Sequence, residues 1–390
     1  MAGRVAPFID NTGLVFAYDL ANVNRSYIGA PTTNICTGAG YSIYNSGATN
    51  SRNQTFPLPP VAGYEVVRVV ADTPGTYGQS ILWTATYSST PTTTTNSVYA
   101  WLASGTYVQV GQHWHPWNYG SPKYIEKGKW VRISETYAIN EGGSYSQAAM
   151  VYSTDGVAYF CMPQYELKPY LTPFVGFSQT RSATQGLKDL TGNSTIDLTN
   201  VSFDANAQMT FDGTNDYVEM SSFNIDQNNE FTLEAIIYPN TVSGNQSIIK
   251  KNTSNDNWPI FSMTLIGSNI NGYYSSPTYG QCLEGADGTS GIITANKFWH
   301  VAYSKGAGGY TTMKLYINGV SVPYNNFLYG SHINSIATST KPIHIGRNLD
   351  GASWIQPFNG IIPISKVYNR QLTDSEIQQN FNAIKGRYGL

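Results

Sequence analysis

Along FTLEAIIYP, residues 231–239, the apolar residues Phe231, Leu233, Ala235 and Ile237 fall on alternate positions. A period of two places them on one face of a β-strand. Similar β-branched and aromatic runs occur at 64–71 (YEVVRVVA), 80–88 (SILWTATYS), 97–104 (SVYAWLAS) and 129–139 (KWVRISETYAI). They recur at 260–266 (IFSMTLI), 298–306 (FWHVAYSKG) and 360–369 (GIIPISKVYN), separated by Gly, Pro, Ser and Thr. Within MKLYINGVSV, residues 313–322, Asn318-Gly319 joins two apolar runs. Both residues tolerate positive φ, so this stretch predicts a type I′ hairpin. The Thr-rich STPTTTTNS, 89–97, reads as a loop joining strands inside a domain.

One helix is predicted, over 373–385. Thr373 and Glu376 form a capping box. Ile377, Phe381 and Ile384 recur at helical spacing, and Gly386 supplies a stop. One amphipathic helix after many strands should dock on the outside of a sandwich. The expected fold class is therefore all-β: two antiparallel β-sandwich (jelly-roll) domains with one C-terminal amphipathic helix.

Composition sharpens this picture. The 390 residues allow two domains, and 41% hydrophobic content allows a sizeable core. Only 12% of residues are charged, about half the usual share. Asn, Thr, Ser, Gly and 29 Tyr supply the polarity, which suits sheets and turns better than helices. A net charge of −2 without a basic cluster argues against nucleic-acid binding. No apolar run reaches membrane-spanning length, and MAGRVAPFIDNTG has no apolar signal core, so neither membrane insertion nor Sec export is expected. Cys36, Cys161 and Cys282 are few, odd in number and far apart, which predicts free thiols.

FDGTNDYVEM (211–220), FTLEAIIYP, INGV and the ending GIIPISKVYNRQLTDSEIQQNFNAIKGRYG resemble the laminin-G-like, concanavalin-A-like domains of tailed-phage structural proteins. GLVFAYDLANVNRSYIGAPTTN (13–34) resembles the opening of the same domain, whose DLTGN-like phrase here waits until GLKDLTGNSTIDL at 186–198. The intervening stretch resembles a carbohydrate-binding-module-like jelly roll, and its end, PQYELKPYLTPFVG (163–176), resembles a Q-x-E…TPF ending of phage proteins. This implies an insertion: residues 1–30 and 181–390 form the laminin-G-like sandwich, and 31–180 a jelly roll grafted into it. An insertion requires 13–20 to pair with C-terminal strands; pairing within the first jelly roll would mean sequential domains.

The resemblance implies a virion protein made in the host cytoplasm without a signal peptide. It would be a non-enzymatic fibre or head decoration whose partners are other virion proteins and host surface glycans, with a homotrimer favoured. A dedicated lectin-like module is the alternative. A glycan hydrolase is the third reading, although no Glu-x-Asp-x-Glu pattern occurs and Glu234 stands alone in its strand.

Two stretches carry candidate chemistry. In GQHWHPWNYG (111–120), His113 and His115 alternate on one strand face, and Trp114, Trp117 and Tyr119 suit stacking on sugar rings. Core packing, glycan contact and a two-imidazole metal site compete there. In FDGTNDYVEM, counting from Asp212 fails the EF-hand pattern, so a strand–turn–strand is expected, with calcium at Asp212 and Asp216 as the alternative. No cofactor other than calcium is expected.

Overall fold

The computed structural model describes residues 11–37, 45–46, 48–71, 77–87, 92–113, 120–139, 145–154, 156–223, 225, 229–253, 258–275, 282–330, 336–348 and 356–390. The chain folds into two compact units. Unit 1 comprises Met1–Gly29, Ala183–Asp204 and Gln208–Leu390; unit 2 comprises Ala30–Ser182 with Ala205–Ala207.

Unit 1 is a sandwich of two eight-stranded antiparallel sheets. The first sheet runs Ser202–Phe203, Met209–Asp212, Asn359–Tyr368, Phe231–Pro239, Trp299–Lys305, Lys314–Ile317, Val320–Val322, and Leu14–Asp19 also pairs with Asn359–Tyr368. The second runs Ile196–Asp197, Val218–Met220, Ile343–Ile345, Asn245–Asn252, Pro259–Ile266, Asn269–Ser275, Cys282–Gly288, Tyr324–Gly330. Phe231, Leu233, Ala235 and Ile237 point into the shared core against Phe261, Met263, Leu265 and Tyr274 of the second sheet. Burial of such a side chain contributes about 1.5–3 kcal/mol, so this alternation fixes which way the strand faces. Asn318 and Gly319 have φ of 50° and 77°, as a type I′ turn requires.

The strand Leu14–Asp19 is fastened by two distant motifs. Asp189 of the DLTGN phrase accepts a hydrogen bond from the Ala17 amide at 3.0 Å. It also accepts from the amides of Thr191, Asn193 and Ser194, which closes the turn. The Thr191 hydroxyl and the Asn193 side-chain amide both donate to the Val15 carbonyl. From the other side, the Arg370 Nε donates to the Thr12 carbonyl at 2.7 Å, and the Asn369 amide to the Gly13 carbonyl at 2.8 Å. Arg370 also forks onto Glu376, at 3.0 and 2.9 Å.

The helix, α1, spans Asp374–Tyr388 behind an N-cap at Thr373, and the capping box forms. It continues past the expected end at 385 and through Gly386. Its stop is Gly389, at φ 67°, whose amide donates to the Lys385 carbonyl. One helical glycine costs about 1 kcal/mol, and the chain tolerates it until a left-handed cap closes the last turn. The helix lies on the outer face of the first sheet, where Ile377 meets Ala302, Tyr316 and Tyr368, and Ile384 meets Ile236 and Ile364.

Unit 2 is a second antiparallel sandwich. One sheet runs Trp130–Ile139, Thr92–Leu102, Val157–Glu166, Val67–Ala71, Ala48–Ser51; the other runs Cys36–Thr37, Tyr77–Tyr87, Tyr145–Thr154, Val108–His113, with Asn45–Ser46 on Tyr77–Tyr87. Val67, Val98, Ala100, Leu102 and Phe160 meet Trp83, Val108 and Val110 in its core. The Thr-rich stretch corrects the loop expectation: from Thr92 it is strand. Thr94, Thr95 and Ser97 are buried, and the Thr95 hydroxyl is paired with Thr136. β-Branching favours the extended chain, and the hydroxyls find partners inside. The Q-x-E…TPF phrase is a clasp. The buried Glu166 accepts from the Thr32 and Thr172 hydroxyls at 2.7 and 2.6 Å, while Gln164 accepts from the Val175 amide at 2.7 Å.

Candidate functional site

The outer face of the second sheet in unit 1 carries an ordered strip of polar side chains. Phe261, Met263 and Leu265 turn inward, so Ser262 and Thr264 turn outward; Ile270, Gly272 and Tyr274 leave Asn271, Tyr273 and Ser275 outward in the same way. Register joins them across strands. One row reads Asp197, Glu219, His344, Lys250, Ser262, Tyr273, Gly285, Phe327; the next reads Ser247, Thr264, Asn271, Asp287, Asn325.

Around Asp287 the geometry is tight. The Tyr273 hydroxyl donates a short hydrogen bond to Asp287 Oδ1. Asn271 Nδ2 donates to the same Oδ1 at 2.9 Å and to the Tyr273 hydroxyl oxygen at 3.0 Å. Burial, with the Asp287 charge beside it, pushes the Tyr273 phenol well above its ordinary value, so it stays a donor at neutral pH. A carboxylate accepts and cannot donate, so it fixes which way the Asn271 amide points. Asn271 Oδ1 is then left buried without a partner, as are Ser247 Oγ and Ser275 Oγ. Each of these closed-off atoms costs about 1–3 kcal/mol, so the groups a ligand can reach are the half-buried Asp287 and Tyr273 beside them. The Tyr273 and Phe327 rings stand edge to face at 5.9 Å beside Asp287. At the other end, Glu219 Oε2 lies 3.4 Å from His344 Nε2, and the Tyr217 ring, 5.6 Å from His344, lies under Arg347.

A strip of hydroxyl, amide and carboxylate acceptors flanked by aromatic rings suits a polyhydroxylated ligand. Asp287 and Glu219 are five strand steps apart, roughly 24 Å, against the roughly 5–10 Å that an acid–nucleophile pair needs. Asp197 stands next to Glu219, and its Oδ1 accepts from the Thr199 amide and hydroxyl.

Of the residues singled out from sequence, His113 ends the strand Val108–His113, whereas Trp114, His115, Trp117 and Tyr119 lie outside the described residues. Asp212 and Asp216 come together in a turn. Asp212 Oδ1 accepts from the amides of Thr214 and Asn215 at 2.7 and 3.1 Å. Asp216 accepts from the Asp212 amide at 2.8 Å and the Ser202 hydroxyl at 3.0 Å. Slight burial works to raise the Asp212 carboxyl, but its turn hydrogen bonds outweigh that and lower it; greater burial leaves Asp216 raised. Among the described residues no three His, Cys, Asp or Glu side chains converge on a metal position.

Glu234 is not part of any open site. It is fully buried beneath α1, with Lys366 Nζ at 2.7 Å on Oε1 and Asn380 Nδ2 at 2.8 Å on Oε2. His300 Nε2 lies 3.3 Å from Oε1. Burial alone would raise this carboxyl, but the Lys366 charge and His300 hold it down at about 2.

The larger unit is an antiparallel β-sandwich with polar side chains along the outer face of its second sheet. Residues 212–378 match the Laminin_G_3 family model, described as the concanavalin A-like lectin/glucanases superfamily, and this segment carries that fold. A search of curated proteins found no match. Among solved structures, a botulinum neurotoxin type C structure concerned with interaction with two ganglioside molecules is similar at 16% identity and a TM-score of 0.37. It covers 51% of this chain and 49% of its own, so the chain spans about half the length of that relative. The CBM40 of Ruminococcus gnavus IT-sialidase bound to α2,3 sialyllactose is similar at 17% identity and a TM-score of 0.32, covering 38% of this chain and 80% of its own.

Proposed function

We propose that the protein is a non-catalytic glycan-binding component of a tailed-phage particle, a fibre or head decoration, with unit 2 inserted into the sandwich of unit 1. The observation that carries glycan binding is the strip around Asp287. Its half-buried Asp287 carboxylate and the flanking Tyr273 and Phe327 rings fit sugar hydroxyls and sugar CH faces. The virion role rests on the resemblance of the YNRQLTDSEIQQN ending to phage structural proteins, and a fibre-type role favours a homotrimer.

A glycan array tests the binding. The wild type should bind hydroxyl-rich neutral glycans, and Tyr273→Ala should lose about tenfold or more in affinity. A blank wild-type array refutes the glycan reading. Cryo-EM of the whole particle tests the virion role. A protein that binds glycans but is absent from particles is the dedicated lectin-like module instead.

A further inference from the structure

Unit 2 carries a second set of side chains aligned by register. On one sheet, Trp130 pairs with Trp101, Trp101 with Tyr159, and Tyr159 with Arg68. Paired residues on neighbouring strands point the same way. Ala100, Phe160 and Val67 of the adjacent row face the core, so this row faces outward. All four residues are half-buried. Trp101 and Trp130 meet edge to face at 5.8 Å, and Phe56, 69% exposed, meets Trp101 at 6.0 Å. The Trp130 indole N–H is used, donating to the Leu58 carbonyl at 2.6 Å. By contrast, among the described residues the Trp101 indole N–H, the Tyr159 hydroxyl and the whole Arg68 guanidinium have no side-chain partner, whereas the nearby Arg52 is forked onto Glu65.

We propose that this row is a second binding site, separate from the strip around Asp287, and that its ligand is an acidic glycan. The chemistry differs between the two sites. The strip in unit 1 is rich in acceptors and favours neutral hydroxyl donors. The unit 2 row is rich in donors: five N–H groups on one guanidinium and an indole N–H, with a phenol that donates or accepts. A sugar carboxylate meets Arg68 in a fork, and the pyranose ring lies over Tyr159 and Trp101, whose faces accept its C–H groups. Arg68 to Trp101 is two strand steps, about 10 Å, room for one charged ring and its neighbour.

The test is titration calorimetry of the full-length protein with polygalacturonate, hyaluronate and polysialic acid, and with dextran as the neutral comparison. At least one acidic polymer should bind, more weakly as salt rises, and dextran should not bind to this row. Arg68→Gln should weaken acidic-polymer binding about tenfold and remove most of its salt dependence. Arg68→Lys should retain part of both, and Trp101→Ala should weaken binding by a similar factor. Tyr273→Ala, in unit 1, should leave acidic-polymer binding unchanged, so the two sites fail separately. Three results overturn the proposal: no acidic polymer binds, Arg68→Gln binds like wild type with a native near-UV spectrum, or Tyr273→Ala abolishes the binding.

Discussion

Replacing Glu234 by Gln should destabilise unit 1 strongly at neutral pH and much less in acid. In the native protein Glu234 is 1% exposed, Lys366 3%, and His300 and Asn380 are fully buried. Removing the carboxylate leaves the Lys366 ammonium buried without its counter-charge, which costs about 3–5 kcal/mol. The pH dependence follows from the depressed carboxyl. Its value falls from 4.5 to about 2 on folding, worth about 3 kcal/mol. A depressed acid stabilises above its unfolded value and loses that contribution as pH falls towards the folded one. The contribution is therefore complete above about pH 5.5 and shrinks by about 2 kcal/mol on reaching pH 3. Urea unfolding of wild type and Glu234→Gln between pH 7 and pH 3, followed through the transition of unit 1, measures the gap directly. Other carboxylates titrate in both proteins and cancel in the difference. A gap that stays constant across this range would refute the assignment of the ionised pair. Glu234→Leu with Lys366→Met should recover most of the loss at pH 7, because an apolar pair has no charge to leave unpaired.

Asp189→Ala should cost about 3 kcal/mol, since several donors including the Ala17 amide lose their acceptor. Amide exchange at residues 15–19 should accelerate with it, and unchanged protection there would show that the DLTGN turn does not hold the strand. The buried Cys36 and Cys161 thiols are free, and burial pushes both up to about 12. In native protein treated with iodoacetamide at about pH 8, both should stay unalkylated by peptide mass mapping, because the thiolate is the reactive form; rapid labelling of either would contradict its burial.

Much of the fold was legible where local pattern and tertiary packing agree. Phe231–Ile237, the Asn318-Gly319 turn and the Thr373–Glu376 box each state their conformation within a few residues. The Thr92–Ser97 strand was hidden because its burial is satisfied by hydroxyl pairing instead of hydrophobicity. Asn380, a polar residue of the helix, meets Glu234, 146 positions earlier, a contact that no local pattern announces. The candidate sites were less visible. Ser262, Thr264, Asn271 and Tyr273 alternate correctly, and that alternation is the signal available in the sequence. It reads as an ordinary solvent face until register sets Asn271 beside Asp287. Trp101, Trp130 and Arg68 likewise become a row only once their strands are in order.

The strand Leu14–Asp19 has a consequence for how the chain leaves the ribosome. Asp19 is paired with Ile364, which is synthesised 364 − 19 = 345 residues later. At a translation rate of about 5–20 residues per second, the strand waits roughly 17–70 s for its partner. Every strand of unit 2 is made within that interval. The smaller sandwich is therefore able to fold during synthesis, while the larger one keeps an unpaired edge until its last strand emerges. Chaperone dependence during expression should concentrate on that edge.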